Sequence, residues 1–153
     1  MADVVNPATR SRMMAGIRAR DTKPEVIVRK ALFKAGFRFR LHRKDLPGNP
    51  DVVLPGRRVV LFVHGCFWHA HEGCRYAKKP ATRQEFWEQK LSANVRRDRH
   101  ACESLLSDGW RVLVVWECAT RSAAIRESLP EILTCWIEGT QLMGEIGLSP
   151  MQP

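Results

Sequence analysis

The chain has 153 residues, 44% of them hydrophobic, which suits one domain around a single core. Lysine and arginine number 25 against 16 acidic residues, a formal charge of +9, so a polyanionic partner held through its phosphates is expected. No apolar run approaches the roughly 18–20 residues of a membrane helix, and the opening MADVVNPATRSR lacks a signal peptide's apolar stretch, so a cytoplasmic protein with no membrane partner is expected.

Residues 1–21 are basic and polar, with Arg10, Arg12, Arg18 and Arg20 around Met13 and Met14, and they read as an arm. Thr22–Lys23–Pro24–Glu25 has the form of a capping box with proline in the first turn. The helix it opens carries Val28, Ala31, Leu32 and Ala35 at helical spacing, and Gly36 is a natural stop. Residues Phe37–His42 alternate as a half-buried strand does. After the turn residues Pro47–Pro50 come a strand over Asp51–Leu54, a Pro55–Gly56 turn, and an apolar strand over Arg58–Val63 that suits burial on both faces.

Residues 64–81 are rich in His, Cys, Gly and aromatics and form a functional loop. A long helix is expected from about Thr82 to Leu106, with Phe86, Leu91 and Val95 on one face, ending at Asp108–Gly109. A second buried strand covers Trp110–Trp116, and a last helix lies near Ile125–Glu138. The order predicts a single α/β domain over 22–139, with helices flanking both faces of a mixed central sheet. Residues 140–153 read as a C-terminal tail without a recognisable motif.

The five cysteines are Cys66, Cys74, Cys102, Cys118 and Cys135, an odd count that argues against a disulfide framework. Cys66, His71 and Cys74 form a compact ligand cluster after the Arg58–Val63 strand. Cys118 follows the Trp110–Trp116 strand, and a neighbouring strand would bring it to the same end of the sheet. Three thiolates and one imidazole are a usual tetrahedral set for zinc, and four protein ligands make that zinc structural. His69 competes with His71 for the imidazole position, while Cys102 and Cys135 read as packing residues.

Pro50–Asp51 opening a strand, followed by a turn and a second strand, resembles the restriction-endonuclease-like superfamily, summarised as PD-(D/E)xK. The second half of that pattern is absent, because the strand ends Leu61–Phe62–Val63–His64 with neither acid nor lysine. The string His64–Gly65–Cys66–Phe67–Trp68–His69–Ala70–His71 supplies what is missing. Together with Ala81–Thr82–Arg83 before Glu85–Phe86–Trp87, Asn94–Arg99 and Gly109–Cys118, it closely resembles the very short patch repair (Vsr) endonucleases, over about residues 7–139.

The resemblance implies a strand-specific nick just 5′ of the thymine of a T:G mismatch, the product of 5-methylcytosine deamination. Carried over residue by residue, Asp51 would bind a catalytic Mg2+, with the main-chain carbonyl of Val63 as a further ligand; valine stands here where family members carry threonine. His69 would be the general base, a role that suits imidazole near neutral pH. Asp98 would orient His69, and Glu25 and His64 would hold metal-bound water. Phe67, Trp68 and Trp87 would wedge into the DNA beside the mismatch, and Met14 would enter from the opposite groove. The cofactors implied are Mg2+ (catalytic) and Zn2+ (structural). The partners implied are double-stranded DNA with a T:G mismatch, mismatch-repair proteins, and functional pairing with a DNA cytosine methyltransferase. A nucleoid-associated monomer is expected, since one active site suffices for a single-strand nick.

Two rival readings remain at this point. One is a restriction-type or structure-selective endonuclease without mismatch preference, against which the Phe67–Trp68 wedge and the Met14 arm speak. The other is a zinc DNA-binding module without catalysis. A zinc deaminase is set aside, because the required Pro-Cys-x-x-Cys is missing.

Overall fold

The computed structural model describes residues 21–148, so Met14 and the rest of the expected arm lie outside the described residues. Helix α1 (Lys23–Lys34) starts as the sequence suggests, with the Thr22 hydroxyl accepting from the Glu25 amide at 3.3 Å. The reciprocal bond is displaced by one residue: the Glu25 carboxylate accepts from the Asp21 amide at 2.6 Å. At the other end Phe37 N–H donates to Leu32 and Gly36 N–H to Phe33, the paired bonds of a Schellman stop. Gly36 adopts φ +92, a conformation that glycine takes without a Cβ penalty.

A mixed five-stranded sheet follows in the order β1-β2-β3-β4-β5. Strands β1 (Arg40–Leu41), β2 (Val52–Leu54) and β3 (Val59–His64) are antiparallel neighbours. Strand β4 (Arg111–Trp116) runs parallel to β3, and β5 (Met143–Ile146) parallel to β4. Between β3 and β4 lies helix α2 (Gln84–Ser107); between β4 and β5 lie the short α3 (Glu117–Arg121) and α4 (Ala123–Ile137).

The period-2 alternation of the strands divides the core. Val59 and Leu61 of β3 and Leu113 and Val115 of β4 face α1 and α4, meeting Val28, Leu32, Leu129 and Leu133. Val60 and Phe62 of β3 and Val112, Val114 and Trp116 of β4 face the other way, toward Cys102 and Leu105 of α2. Burying each such aliphatic side chain contributes about 1.5–3 kcal/mol. The helices therefore cover both faces, as the sequence implies.

Three features differ from the sequence reading. The alternating segment Phe37–His42 pairs only at Arg40–Leu41, because Phe37 is drawn into the α1 stop and His42 turns away at φ 49. Residues 143–146 add a strand to the sheet from a segment read as tail. Phe86 and Cys135 are exposed rather than packed, Phe86 because the N-terminal turns of α2 carry few core contacts and only Leu91 among residues 84–100 is buried.

Candidate active site and metal centre

The parallel register of β3 and β4 sets both sites. It pairs His64 with Trp116, so Cys66 and Cys118, each two residues further on, leave the sheet side by side. The Cys118 amide donates to Cys66 Sγ at 3.3 Å. His71 and Cys74 join them, and one ligand atom from each of the four residues lies within 4.8 Å of the others.

The chemistry of this set fits a tetrahedral soft-metal site. Burial holds the His71 imidazole below its ordinary range, which keeps it neutral and able to ligate. Burial pushes the Cys66 and Cys118 thiols up, so thiolates here call for a cation. The His71 ring stacks on Trp116 with centroids 4.0 Å apart, and Trp116 Nε1 donates to Glu145 of β5 at 3.3 Å. The Leu148 amide donates to Cys118 Sγ at 3.3 Å, so the segment just after the strand that the sequence reading missed reaches the cluster. His69, the alternative ligand, is not in this cluster.

On the other side of the same loop lies a cleft of about 790 Å3, lined among others by Glu25, Asp51, Val63, His64, Phe67, Trp68, His69 and Asp98. Asp51 comes from the start of β2, and its Oδ2 accepts from the Val63 amide at 2.7 Å. Continuing the β2–β3 register by two residues puts Pro50 opposite Val63. Proline has no N–H, so the ladder leaves the Val63 carbonyl without a donor from that strand. A strand residue's N–H and C=O point to the same side. The Val63 carbonyl is thereby directed, like its amide, to the side where Asp51 stands. Two hard oxygens so placed fit a magnesium-type cation.

Burial, opposed by the Val63 bond and reinforced by the neighbouring Glu25 carboxylate, pushes the Asp51 carboxyl up to about 7. Glu25 is itself buried at 3% exposure. Two carboxylates in one dry corner are stabilised by a bound cation.

His69 Nδ1 donates to Asp98 Oδ2 at 2.6 Å, which leaves Nε2 as the ring's acceptor. Its ring lies flat on His64, with centroids 3.8 Å apart and 4° between planes. Burial, then the facing His69, lowers the His64 pKa to about 3, so His64 is neutral at working pH. Asp98 belongs to the stripe Asn94, Arg97, Asp98, Ala101 and Cys102, the α2 residues that line the cleft at helical spacing. Asn94 Nδ2 donates to the Trp68 carbonyl at 2.8 Å, and so ties the loop to the helix.

Phe67, Trp68 and Trp87 form a mutual edge-to-face trio with centroids 5.0–6.0 Å apart. All three are partly exposed, and Phe67 and Trp68 line the cleft itself. Among the described candidate residues, the structure thus brings together Asp51, Val63, His64, His69, Asp98 and Glu25 in one cleft, with the aromatic trio at it, and gathers Cys66, His71, Cys74 and Cys118 into a separate cluster that could hold a metal ion. Sequence reasoning quoted Asn94–Arg99 as part of the resemblance but assigned no role to Asn94 or Arg97; Asn94 stands one helical turn before Asp98 and Arg97 directly precedes it, a placement that becomes informative only once α2 is known to face the loop.

A family model described as DNA mismatch endonuclease Vsr matches residues 2–75. The DNA mismatch endonuclease Vsr of Escherichia coli (strain K12) is 47% identical over 148 residues, 95% of this chain and 94% of that protein. The type II nicking enzyme V.XorIIP of Xanthomonas oryzae pv. oryzae is 52% identical over 118 residues, 77% of this chain and 86% of the relative. The type II nicking enzyme V.NmeAIP of Neisseria meningitidis serogroup A is 41% identical over 134 residues, 87% of this chain and 95% of the relative. No helix among the described residues is long and apolar enough to cross a membrane. The fold, the two sites and these relatives together place the chain in the DNA mismatch endonuclease Vsr family, as a DNA endonuclease.

Proposed function

We propose that this endonuclease nicks one strand 5′ of the thymine in a T:G mismatch, with Mg2+ as the catalytic ion and Zn2+ as a structural one. One observation carries the reading: an Asp98–His69 pair, a neutral His64 and the Asp51 carboxylate share a single cleft beside the aromatic trio. The mismatch preference is supported by the name of the Escherichia coli relative and by the partly exposed aromatic trio at the cleft.

Asp51 and the Val63 carbonyl would hold the magnesium ion. When bound, that ion neutralises charge growing on the scissile phosphate and the leaving oxygen. His69 Nε2 takes the proton of the attacking water as its oxygen bonds to phosphorus and the bond from phosphorus to the leaving oxygen breaks, the leaving oxygen taking a proton from solvent. Asp98 keeps Nδ1 protonated and the ring aimed, and it stabilises the imidazolium that forms. Neutral His64 offers the ring a stacking face without opposing that charge, and it orients water together with Glu25. Cys66, His71, Cys74 and Cys118 would hold the zinc and so fix the loop that delivers His69.

Phe67, Trp68 and Trp87 would enter the stack at the wobble pair, where stacking is weaker and intercalation costs less. In this proposal residues 1–21 would supply the DNA-contacting arm, with Met14 entering from the opposite groove. The protein acts as a monomer, alongside mismatch-repair proteins and a DNA cytosine methyltransferase.

Single-turnover nicking of otherwise identical duplexes carrying T:G or T:A tests this reading. Cleavage 5′ of the mismatched thymine alone supports it. Equal cleavage of both duplexes would favour a restriction-type enzyme, and tight binding without cleavage would leave a DNA-binding module.

A further inference from the structure

Behind Glu25 lies a polar cluster that the proposed mechanism does not use. Arg29 follows Glu25 by one turn of α1 and keeps only 15% of its side chain exposed. Its Nη2 donates to Glu25 Oε2 at 3.0 Å and lies 2.9 Å from His42 Nε2, while Nη1 pairs with Asp21 Oδ1 at 2.8 Å. Asp21 adds a second donor to Glu25 Oε2, its own amide at 2.6 Å.

His42 stands in the left-handed region at φ 49, and its amide donates to the Asp51 carbonyl at 3.2 Å. An unbroken line of contacts therefore runs from the Glu25 carboxylate through the Arg29 guanidinium and the His42 ring to the backbone of Asp51. Glu25 and Asp51 come from different elements, α1 and the start of β2, and this line is a polar tie between them.

Asp21, Glu25 and His42 also present ligand atoms within 4.8 Å of one another, the spacing of a metal site. The guanidinium already occupies the centre of that group, so the cation there is Arg29. An exposed ion pair in this geometry would contribute little. Here Glu25 is buried, and its hold depends on donors fixed in direction, which the planar fork of arginine supplies.

We propose that Arg29, braced by His42 and Asp21, is a positioning residue of the active site: it sets the Glu25 carboxylate against the Asp51 centre. This inference rests on the reading of Glu25 as a residue that holds water of the metal centre. Arg29 touches no reacting atom; it acts through Glu25.

A double-mutant cycle tests it, with single-turnover nicking of the T:G duplex at saturating Mg2+ as the readout, and duplex affinity and thermal midpoint measured on every variant. Arg29→Met in the wild-type background is expected to slow nicking at least tenfold with duplex affinity unchanged. In a Glu25→Gln background the same substitution is expected to slow it less than twofold further, while still lowering the thermal midpoint. Equal slowing by Arg29→Met in both backgrounds, or none in either, would overturn the inference and leave Arg29 a structural residue. Glu25→Gln nicking at the wild-type rate would instead overturn the reading of Glu25 on which it rests. Arg29→Lys, which keeps the charge without the fork, enters the same cycle with the same criteria if Arg29→Met does not fold.

Discussion

Asp98 Oδ2 lies 2.6 Å from His69 Nδ1, although the two residues stand on different elements, 29 positions apart in sequence. Helix and loop are locked by Asn94 as well, one turn before Asp98, through its bond to the Trp68 carbonyl. Asp98→Asn keeps the shape but can present an N–H to Nδ1, which turns the ring to the wrong tautomer. It is expected to slow nicking at least about tenfold while leaving duplex affinity unchanged. Stopped-time nicking assays beside a binding titration check this, and an unaltered rate would contradict the assigned role.

The Asp51 carboxyl binds its proton more tightly in the folded chain than in the unfolded one, since burial pushes it up to about 7 from 3.8. Its contribution to stability is therefore fully present below about pH 4 and is lost as pH rises through about 7. A magnesium ion must displace that proton, so apparent magnesium affinity is expected to fall as pH drops below about 7, by up to about tenfold per pH unit. Magnesium titrations between pH 5.5 and 8 measure it, compared with Asp51→Asn. A pH-independent affinity in the wild type would contradict the prediction.

The four-residue cluster predicts one tightly held zinc ion per chain. Cys66→Ser and Cys118→Ser are expected to lose the ion and lower the thermal midpoint together, because both residues are buried where the loop leaves the sheet. Cys135→Ser is the control, since Cys135 is exposed and outside the cluster. Elemental analysis beside thermal unfolding reads both quantities; zinc retained by Cys118→Ser would remove that residue from the ligand set.

Trp68 lines the cleft and touches Phe67 and Trp87 edge-on. Trp68→Ala is expected to weaken binding of a T:G duplex by about 5- to 100-fold, the worth of one stacked base. Binding of the matched T:A duplex should change far less. Equal weakening on both duplexes would mean that Trp68 supports general affinity rather than mismatch recognition.

Gly144 of β5 passes directly over the Trp136 indole, where an added Cβ would collide with Nε1. Trp136 has little room to yield: Arg111 lies 4.7 Å over its ring and donates to the carbonyls of Trp136, Ile137 and Gln141. Gly144→Ala is expected to cost about 1–3 kcal/mol of stability, read by denaturant unfolding. An unchanged midpoint would contradict the close packing of β5.

The buried strands β3 and β4 were legible because their apolar runs and flanking turns leave few alternatives. The start and stop of α1 were legible from Thr22, Pro24 and Gly36, and the Cys66–His71–Cys74 part of the Cys/His cluster from its close spacing in one short loop. Strand β5 was not, because Met143–Ile146 contains a glycine and a glutamate and exposes half its residues. Cys118 was read at a strand end but falls in the first turn of α3, a ±2-residue shift that leaves its position beside Cys66 intact. The Arg29–His42 contact joins residues from α1 and the loop before β2, and no local pattern in either segment announces it. The roles of Asp51, His69 and Asp98 came from family resemblance; spacing alone gives no reason for residues 51, 69 and 98 to share a cleft.

The most direct test of the proposed chemistry is the single-turnover nicking rate of His69→Ala on a T:G duplex at saturating Mg2+, with duplex binding measured alongside. The account predicts wild-type binding and a rate lowered by about 10²–10⁴-fold, the usual worth of a general base. Nicking within a few-fold of wild type would contradict it, and would pass the base to another group in the cleft.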